Sequence, residues 1–388
     1  MANPKILSRD FIFAFLAQFA FSAGFFILIP TLPVHLSRLK VGESDIGILI
    51  GVFSVSSLVF RPFVGKGLLR IPERTFMTVG ALLFALSSAA YLVAPPFWPF
   101  FLVRVFQGIG LAFFFTASTI LIANISPEDC RGQILSYFMT TSNVAFAITP
   151  SLGIYLINRY GFTLLFWFCT VISLSSFFLS IRLEKREAHP HEEPPIKSKV
   201  EAYFSQKALP PSIVAFFTHM IWGSLTAFFP LYAIEHGVTN PGIFFTTFAV
   251  ILILCRTLGS KLLDMYSREK VILPCLLNYV LITLLLAFSH TLPMFILVAV
   301  IWGVGTAFVF PVLVALTLDL AGSARGPAIG TFTAFSDLGV GLGAVLMGIV
   351  LRWTNYPVMF FSLALIGLIN VFYFISFARK SRNLSVSQ

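Results

Sequence analysis

Runs of apolar side chains, each close to twenty residues long, recur through this chain of 388 residues from one end to the other. A helix of about 20 residues is what a hydrocarbon layer about 30 Å thick requires, because each residue advances the axis by about 1.5 Å. Inside such a layer every backbone N–H and C=O has to be satisfied within the chain, so a succession of these runs folds as a bundle of spanning helices. The runs fall at 11–36, 46–68, 76–94, 97–123, 134–157 and 162–183, then at 211–234, 243–263, 271–289, 294–320, 328–351 and 356–378. Charged residues make up only 11% of the chain, against about 25% in a soluble domain, and that is too few to cover a water-facing surface. The expectation is an all-α integral membrane protein with 12 transmembrane helices.

Between the sixth and seventh runs lies the longest polar stretch, in which Lys, Arg, Glu and His replace the aliphatic residues and Pro194-Pro195 interrupts helical propagation. The expected organisation is a six-helix bundle over 1–183, a cytoplasmic linker over 184–209 and a second six-helix bundle over 210–388. Lys and Arg are retained on the cytoplasmic side during insertion. With both termini inside, 21 of the 26 basic residues fall in cytoplasmic segments, and the opposite loops keep only Arg38, Lys40, Arg159 and Arg352. A thirteenth or a missing span would scramble that bias. The basic N-terminal flank resembles a signal peptide, but the first run continues without a clear small-residue cleavage site, so it is read as an uncleaved helix. The net charge of +10 comes from residues that punctuate the ends of apolar runs, which argues against a nucleic acid partner. Cys130, Cys169, Cys255 and Cys275 show no metal-ligand spacing, and neither a disulfide framework nor a metal site is expected.

The two halves carry matching landmarks. Gly47 and Gly242, Arg61 and Arg256, Gly108 and Gly303, and Gly110 and Gly305 each stand 195 positions apart. Arg131-Gly132 and Arg325-Gly326, and Asn143 and Asp337, stand 194 apart. Six spans per half give both copies the same orientation, which makes the bundles a pseudo-twofold pair with a ligand site between them near mid-membrane.

These residues give the chain a resemblance, over essentially its whole length, to the major facilitator superfamily of secondary transporters. The segment RPFVGKGLLRIPER after span 2 resembles the family's signature loop, with Arg61, Pro62, Gly65, Arg70 and Arg74 in place. It departs at Leu69, Pro72 and Glu73. The copy after span 8 keeps Arg256 and Asp264 but has Ser260 in place of a glycine. The resemblance implies a conformational latch drawn from Arg61, Gly65, Arg70, Arg131, Arg256, Asp264 and Arg325. The sequence RVFQGIG of span 4 is similar to a family motif that joins Arg104, Gln107, Gly108 and Gly110. Span 5 keeps Pro150 and Gly153 of a glycine-rich pattern associated with exporters, with Ala145, Thr149 and Ile154 where further glycines are expected. By the same resemblance spans 1, 4, 7 and 10 line the cavity, which favours Gln18, Arg104, His219 and Trp302 and disfavours Asn278.

The residues themselves restrict where chemistry can occur. Arg104 lies inside an apolar run, where a cation costs about 2.5–3.5 kcal/mol on insertion scales unless a partner or water compensates it. Asp337 lies eleven residues beyond Gly326, roughly 16 Å along a helix and near the centre of the hydrocarbon, a depth suited to a proton carrier. His219 shares a helical face with Trp222, Thr226 and Pro230 at similar depth. Asp337, Arg104 and His219 are the proton-coupling candidates, while Gln18, Ser22, Gln107, Phe115, Asn143, Trp222, Thr226 and Trp302 are the substrate-cavity candidates. Each has a plain alternative: Arg104 bonded to carbonyls of a neighbouring helix, Asp337 bonded in a stripe of small residues, His219 in packing.

No phosphate-binding loop, nucleophile elbow or paired histidine motif is present, so neither catalytic residues nor a cofactor is expected and a proton gradient is the expected energy source. The functional expectation is proton-coupled efflux of a small amphipathic or apolar molecule by alternating access. The protein is expected to be a monomer in a plasma membrane, a bacterial inner membrane above all. The rivals are proton-coupled uptake of a small organic anion clamped by Arg104, translocation or modification of a lipid or lysolipid, and a receptor that binds without flux.

Overall fold

The computed structural model describes residues 9–127, 131–184, 204–259, 268–321 and 325–386. The first span is two helices, α1 (Arg9–Phe26) and α2 (Leu28–Arg38), followed by α3 (Glu43–Gly67), α4 (Glu73–Ala90), α5 (Trp98–Ile125) and α6 (Arg131–Ile181). After a short 3-10 turn at Gln206–Ala208 come α7 (Leu209–Glu235), α8 (Gly242–Leu258), α9 (Arg268–Ala287), α10 (Leu292–Ala321), α11 (Arg325–Trp353) and α12 (Tyr356–Val386). At 51 residues, α6 would run about 76 Å, more than twice the hydrocarbon thickness. It is two spans broken at Gly161, whose φ of 84° is left-handed and favours glycine. Twelve crossings result among the described residues, six on each side of the linker.

The break in the first span has a local cause. Pro30 has no N–H to give the carbonyl four residues earlier, and its ring crowds the preceding turn. Thr31 Oγ1 donates to Ile27 O at 2.8 Å, which compensates a carbonyl at the break. A Cβ on Gly153 would lie 2.6 Å from Ile27 Cγ1 and 3.0 Å from Ile27 O. The glycine retained in span 5 is therefore the residue that lets α6 press against this break.

The chain divides into two compact units, one of 1–41 with 52–193 and one of 42–51 with 194–388. In the first, α1 packs on α6, and α4 packs on α5 and α6. In the second, α7 packs on α11 and α12, and α9 packs on α10 and α12. Span 3 thus meets spans 4 and 6 just as span 9 meets spans 10 and 12. The second unit also takes in the first turns of α3, where a Cβ on Gly51 would meet Gly341 O at 2.6 Å and Ser44 Oγ donates to Gly348 O at 3.3 Å.

The glycine repeat proves to be a packing repeat. A Cβ on Gly108 would collide with the Phe53 carbonyl, and one on Gly303 would lie 3.0 Å from the Phe248 carbonyl. Phe53 and Phe248 are themselves 195 positions apart. A Cβ on Gly110 would lie 3.3 Å from Leu83 Cβ and one on Gly305 2.7 Å from Asn278 Cβ, again a partner pair at that offset. Apolar side chains gain nothing by leaving lipid for a neighbouring helix, so close backbone approach at small residues supplies the contact that holds spans together.

Candidate functional site

In the first unit, polar side chains from three elements converge. Gln18 on α1 accepts from Ser118 Oγ of α5 at 3.0 Å through Oε1 and donates from Nε2 to Ser142 Oγ of α6 at 2.9 Å. Ser22 and Ser142 share a hydroxyl contact of 3.0 Å. Gln18, Ser22 and Ser118 are fully buried and Ser142 is half-buried. A buried amide is tolerated only when its donors and acceptors are matched, and here three spans are tied by one side chain. Sequence reading finds Gln18 and Ser22 but not Ser142. It favours the adjacent Asn143, which is half-buried, because Asn143 is the repeat counterpart of Asp337.

About four turns away on α5, Arg104 is buried at 5% exposure. Its Nη1 donates to Gln107 Oε1 at 2.7 Å, Tyr91 OH at the C-cap of α4 donates to the same oxygen at 2.6 Å, and the guanidinium stands 4.4 Å over the Phe53 ring of α3. A charge-assisted bond and a cation–π contact together offset part of the cost of keeping the cation from water. The arrangement binds α3, α4 and α5 within one unit, and Asp337 belongs to the other. Phe115 sits in an aromatic cluster with its ring 5.7 Å from Phe21.

In the second unit α7 and α11 approach through glycines. A Cβ on Gly223 would strike the Val340 backbone, one on Gly343 the Met220 backbone, and one on Gly339 would lie 3.1 Å from His219 Cβ. His219, about 15 Å into α7, thereby faces Gly339, while Asp337, half-buried near the middle of α11, lies two residues away and about 200° round that helix. The ring's Nδ1 lies 2.8 Å from Ala215 O. A carbonyl only accepts, so the neutral ring carries its proton on Nδ1 and presents Nε2 as an acceptor. The structure thus gathers two of the three proton-coupling candidates onto one helix pair.

The remaining cavity candidates differ in availability. Trp222 is half-buried and stacks toward Trp302 at 5.1 Å and Phe248 at 5.4 Å. Trp302 is fully buried, enclosed also by Phe244 at 5.6 Å, and stands behind Trp222. Thr226 is buried and donates to Gly223 O at 3.0 Å, within its own helix. Asn278 is spent on packing, its Nδ2 donating to Ile301 O at 2.9 Å.

The signature segment after span 2 is not wholly a loop. Arg61, Pro62 and Gly65 lie in the last turns of α3, which continues to Gly67, and Arg70 follows in an exposed turn. The helix persists because Pro62 leaves one hydrogen bond unmade without stopping the turns that follow. Arg256 donates from Nε to Ala307 O of α10 at 3.1 Å. Asp264 and the side chains of Arg131 and Arg325 lie outside the described residues. A pair missed by sequence reading occupies the same region: Arg268 forms an ion pair with Asp319, while Asn124 Nδ2 donates to Glu73 Oε1 at 2.7 Å. Glu73 with Arg268 and Asn124 with Asp319 are each 195 apart, so the offset already found for the glycines locates both contacts. The two copies join span ends at one place, through a hydrogen bond to a carboxylate in the first and an ion pair in the second.

Comparison with known proteins agrees with this architecture. The family model described as Major Facilitator Superfamily matches residues 14–244 and again 212–387. The staphylopine export protein of Staphylococcus aureus strain Mu50 is 25% identical over 366 residues, covering 90% of each chain. The quinolone resistance protein NorA of Staphylococcus aureus strain COL is 24% identical over 345 residues, covering 84% of this chain and 85% of its own. Among solved structures, that of an alanine mutant of the nucleoside transporter NupG superposes with a TM-score of 0.78 at 14% identity, covering 95% of this chain and 99% of that one. Twelve spans in two repeated sets, with polar side chains held at mid-span, define an integral membrane protein of the secondary transporter class. The chain belongs to the Major Facilitator Superfamily.

Proposed function

We propose that the protein exports a small amphipathic or apolar compound by alternating access, driven by protons moving the other way. The observation that carries the coupling is the α7–α11 contact, which packs His219 against Gly339 and so puts His219 and Asp337 on adjoining spans of one unit, each near mid-span. A carboxylate in hydrocarbon resists ionisation unless a cation or donors stabilise it. His219 on the adjoining span, with Nε2 as an acceptor, supplies a second titratable group in the same unit. Loading Asp337 changes the balance of charge in the second unit and so shifts the population of transport states. Support for the outward direction comes from the two staphylococcal relatives, both named for export or drug resistance.

On this reading the Gln18 network and the Trp222 face supply the polar and aromatic contacts for cargo. Gln18 exchanges its serine partners for substrate only if the network opens. The cargo leaves chemically unchanged, no cofactor takes part, the protein works as a monomer, and both termini face the cytoplasm of a bacterial inner membrane. The test is uptake of the fluorescent cation ethidium into inverted membrane vesicles energised by an imposed pH gradient. Wild-type protein should accumulate dye. Asp337→Asn should abolish the gradient-driven component while keeping the wild-type thermal midpoint, and His219→Gln should reduce it. Undiminished gradient-driven accumulation by Asp337→Asn removes the carboxylate from the coupling role.

A further inference from the structure

At the far end of α7 from the linker, a second group of titratable side chains takes no part in the mechanism above. His236 caps α7, and His290 stands on the connection between α9 and α10. Their ring centres are 5.0 Å apart, with planes at 44°. We propose that His236 and His290 form a two-imidazole binding site for a borderline transition-metal ion, Zn²⁺, Ni²⁺ or Cu²⁺, on the membrane face opposite the termini.

The first argument is distance. An ion about 2.0–2.1 Å from an imidazole nitrogen lies about 3.2 Å from the ring centre. Two imidazoles that share an ion at nitrogen–metal–nitrogen angles of about 90–110° therefore place their centres about 4.5–5.2 Å apart. The observed separation falls inside that range. Packing of two neutral rings would tolerate the same spacing, so the second argument concerns which nitrogen is available.

His236 Nδ1 lies 2.9 Å from the carbonyl of Tyr232. The carbonyl can only accept, so the neutral ring is protonated at Nδ1 and its Nε2 lone pair points away from α7. A metal-binding histidine characteristically gives its other N–H to a carbonyl in this way, which fixes tautomer and ring orientation together. The same tyrosine also sets the second ligand. Tyr232 is 1% exposed, and its hydroxyl donates to Ser289 O at 2.6 Å and to Leu286 O at 3.2 Å, which pins the α9–α10 connection one residue before His290. One buried residue thus positions both imidazoles, through its backbone carbonyl at one and its hydroxyl at the other.

Access completes the case. His290 is exposed and His236 half-exposed, so an ion arrives from water without displacing packed side chains. Imidazole is a ligand suited to zinc, copper and nickel, whereas calcium and magnesium prefer oxygen. No group of three or more His, Cys, Asp or Glu side chains with metal-binding geometry occurs among the described residues. Two protein ligands leave the remaining positions to water, so the ion exchanges freely. While bound, it clamps the end of α7 to the α9–α10 connection.

The sequence also holds His189 and His191 in the linker, which could bind metal by themselves. The experiment therefore uses untagged full-length protein in detergent with both linker histidines changed to alanine. Cu²⁺ is titrated under electron paramagnetic resonance, and Zn²⁺ is titrated while the thermal midpoint is followed. One Cu²⁺ per chain with hyperfine structure from two imidazole nitrogens is expected, together with a saturable rise of the midpoint in Zn²⁺. His236→Gln and His290→Gln should each abolish the two-nitrogen signature and the zinc-dependent rise, and should match the parent midpoint in the absence of metal. The proposal is overturned if the parent binds no ion saturably, if its spectrum shows a single nitrogen, or if either glutamine variant keeps the full response. None of these outcomes depends on transport direction or coupling.

Discussion

Replacing Gln107 with leucine removes one oxygen on which two buried donors converge, the Arg104 guanidinium at 2.7 Å and the Tyr91 hydroxyl at 2.6 Å. A hydrogen bond to a charged group contributes about 1.5–3 kcal/mol, and leaving a buried neutral donor unmatched costs about 1–3 kcal/mol. The Phe53 ring at 4.4 Å remains and keeps about 0.5–2 kcal/mol of cation–π attraction. The expected loss is about 3–5 kcal/mol. At about 2–4 °C per kcal/mol for a unit of this size, the thermal midpoint in detergent should fall by roughly 6–20 °C. Gln107→Glu keeps an acceptor in place and adds a countercharge for the guanidinium, so it should lie much closer to wild type. Tyr91→Phe removes one donor alone, and a cycle with Gln107→Leu should show a coupling of at least about 0.5 kcal/mol. A Gln107→Leu midpoint within about 2 °C of wild type, read against that scale, would refute the account of how the buried cation is tolerated. So would a Glu variant no better than the Leu variant.

Two other outcomes follow from the packing. Gly343→Val should lower the midpoint by the 1–3 kcal/mol typical of overpacking, because its Cβ would strike the Met220 backbone, whereas Gly330→Ala meets nothing within 4 Å and should be neutral or stabilise α11 by up to about 1 kcal/mol; equal midpoints for the two variants would contradict the α7–α11 contact. Asp319→Asn breaks an ion pair whose side chains are 37% and 57% exposed, so unfolding titrations should register less than about 1 kcal/mol, a difference that vanishes in 1 M salt.

The repeat shows how far an offset in the sequence can reach. Gly108 and Gly303 stand as a pair in the sequence alone, and the structure sets each against the carbonyl of a phenylalanine at the same offset. The Glu73–Asn124 and Arg268–Asp319 contacts obey the same spacing. They escape sequence reading because the residue types differ between copies, and an identity search sees only what is retained. Asn143 shows the converse. Its pairing with Asp337 drew attention to it, yet the hydroxyl bonded to Gln18 belongs to Ser142. One residue along a helix is a turn of about 100°, and a repeat detected at uncertain register cannot decide which side chain faces inward.

The sequence by itself determined that the chain crosses a membrane twelve times in two related sets, since crossing depends on the length and apolarity of each local run, and these are properties of contiguous residues. It also placed Arg104, His219 and Asp337 at depth, because depth is counted along a single helix. Only the tertiary structure decided which side chains meet. Gln18 and Ser142 are 124 positions apart, and His219 packs against Gly339 of another span. Such meetings depend on the rotation and closeness of two helices, set by where small residues allow backbones to touch, and no local pattern in the chain encodes that rotation.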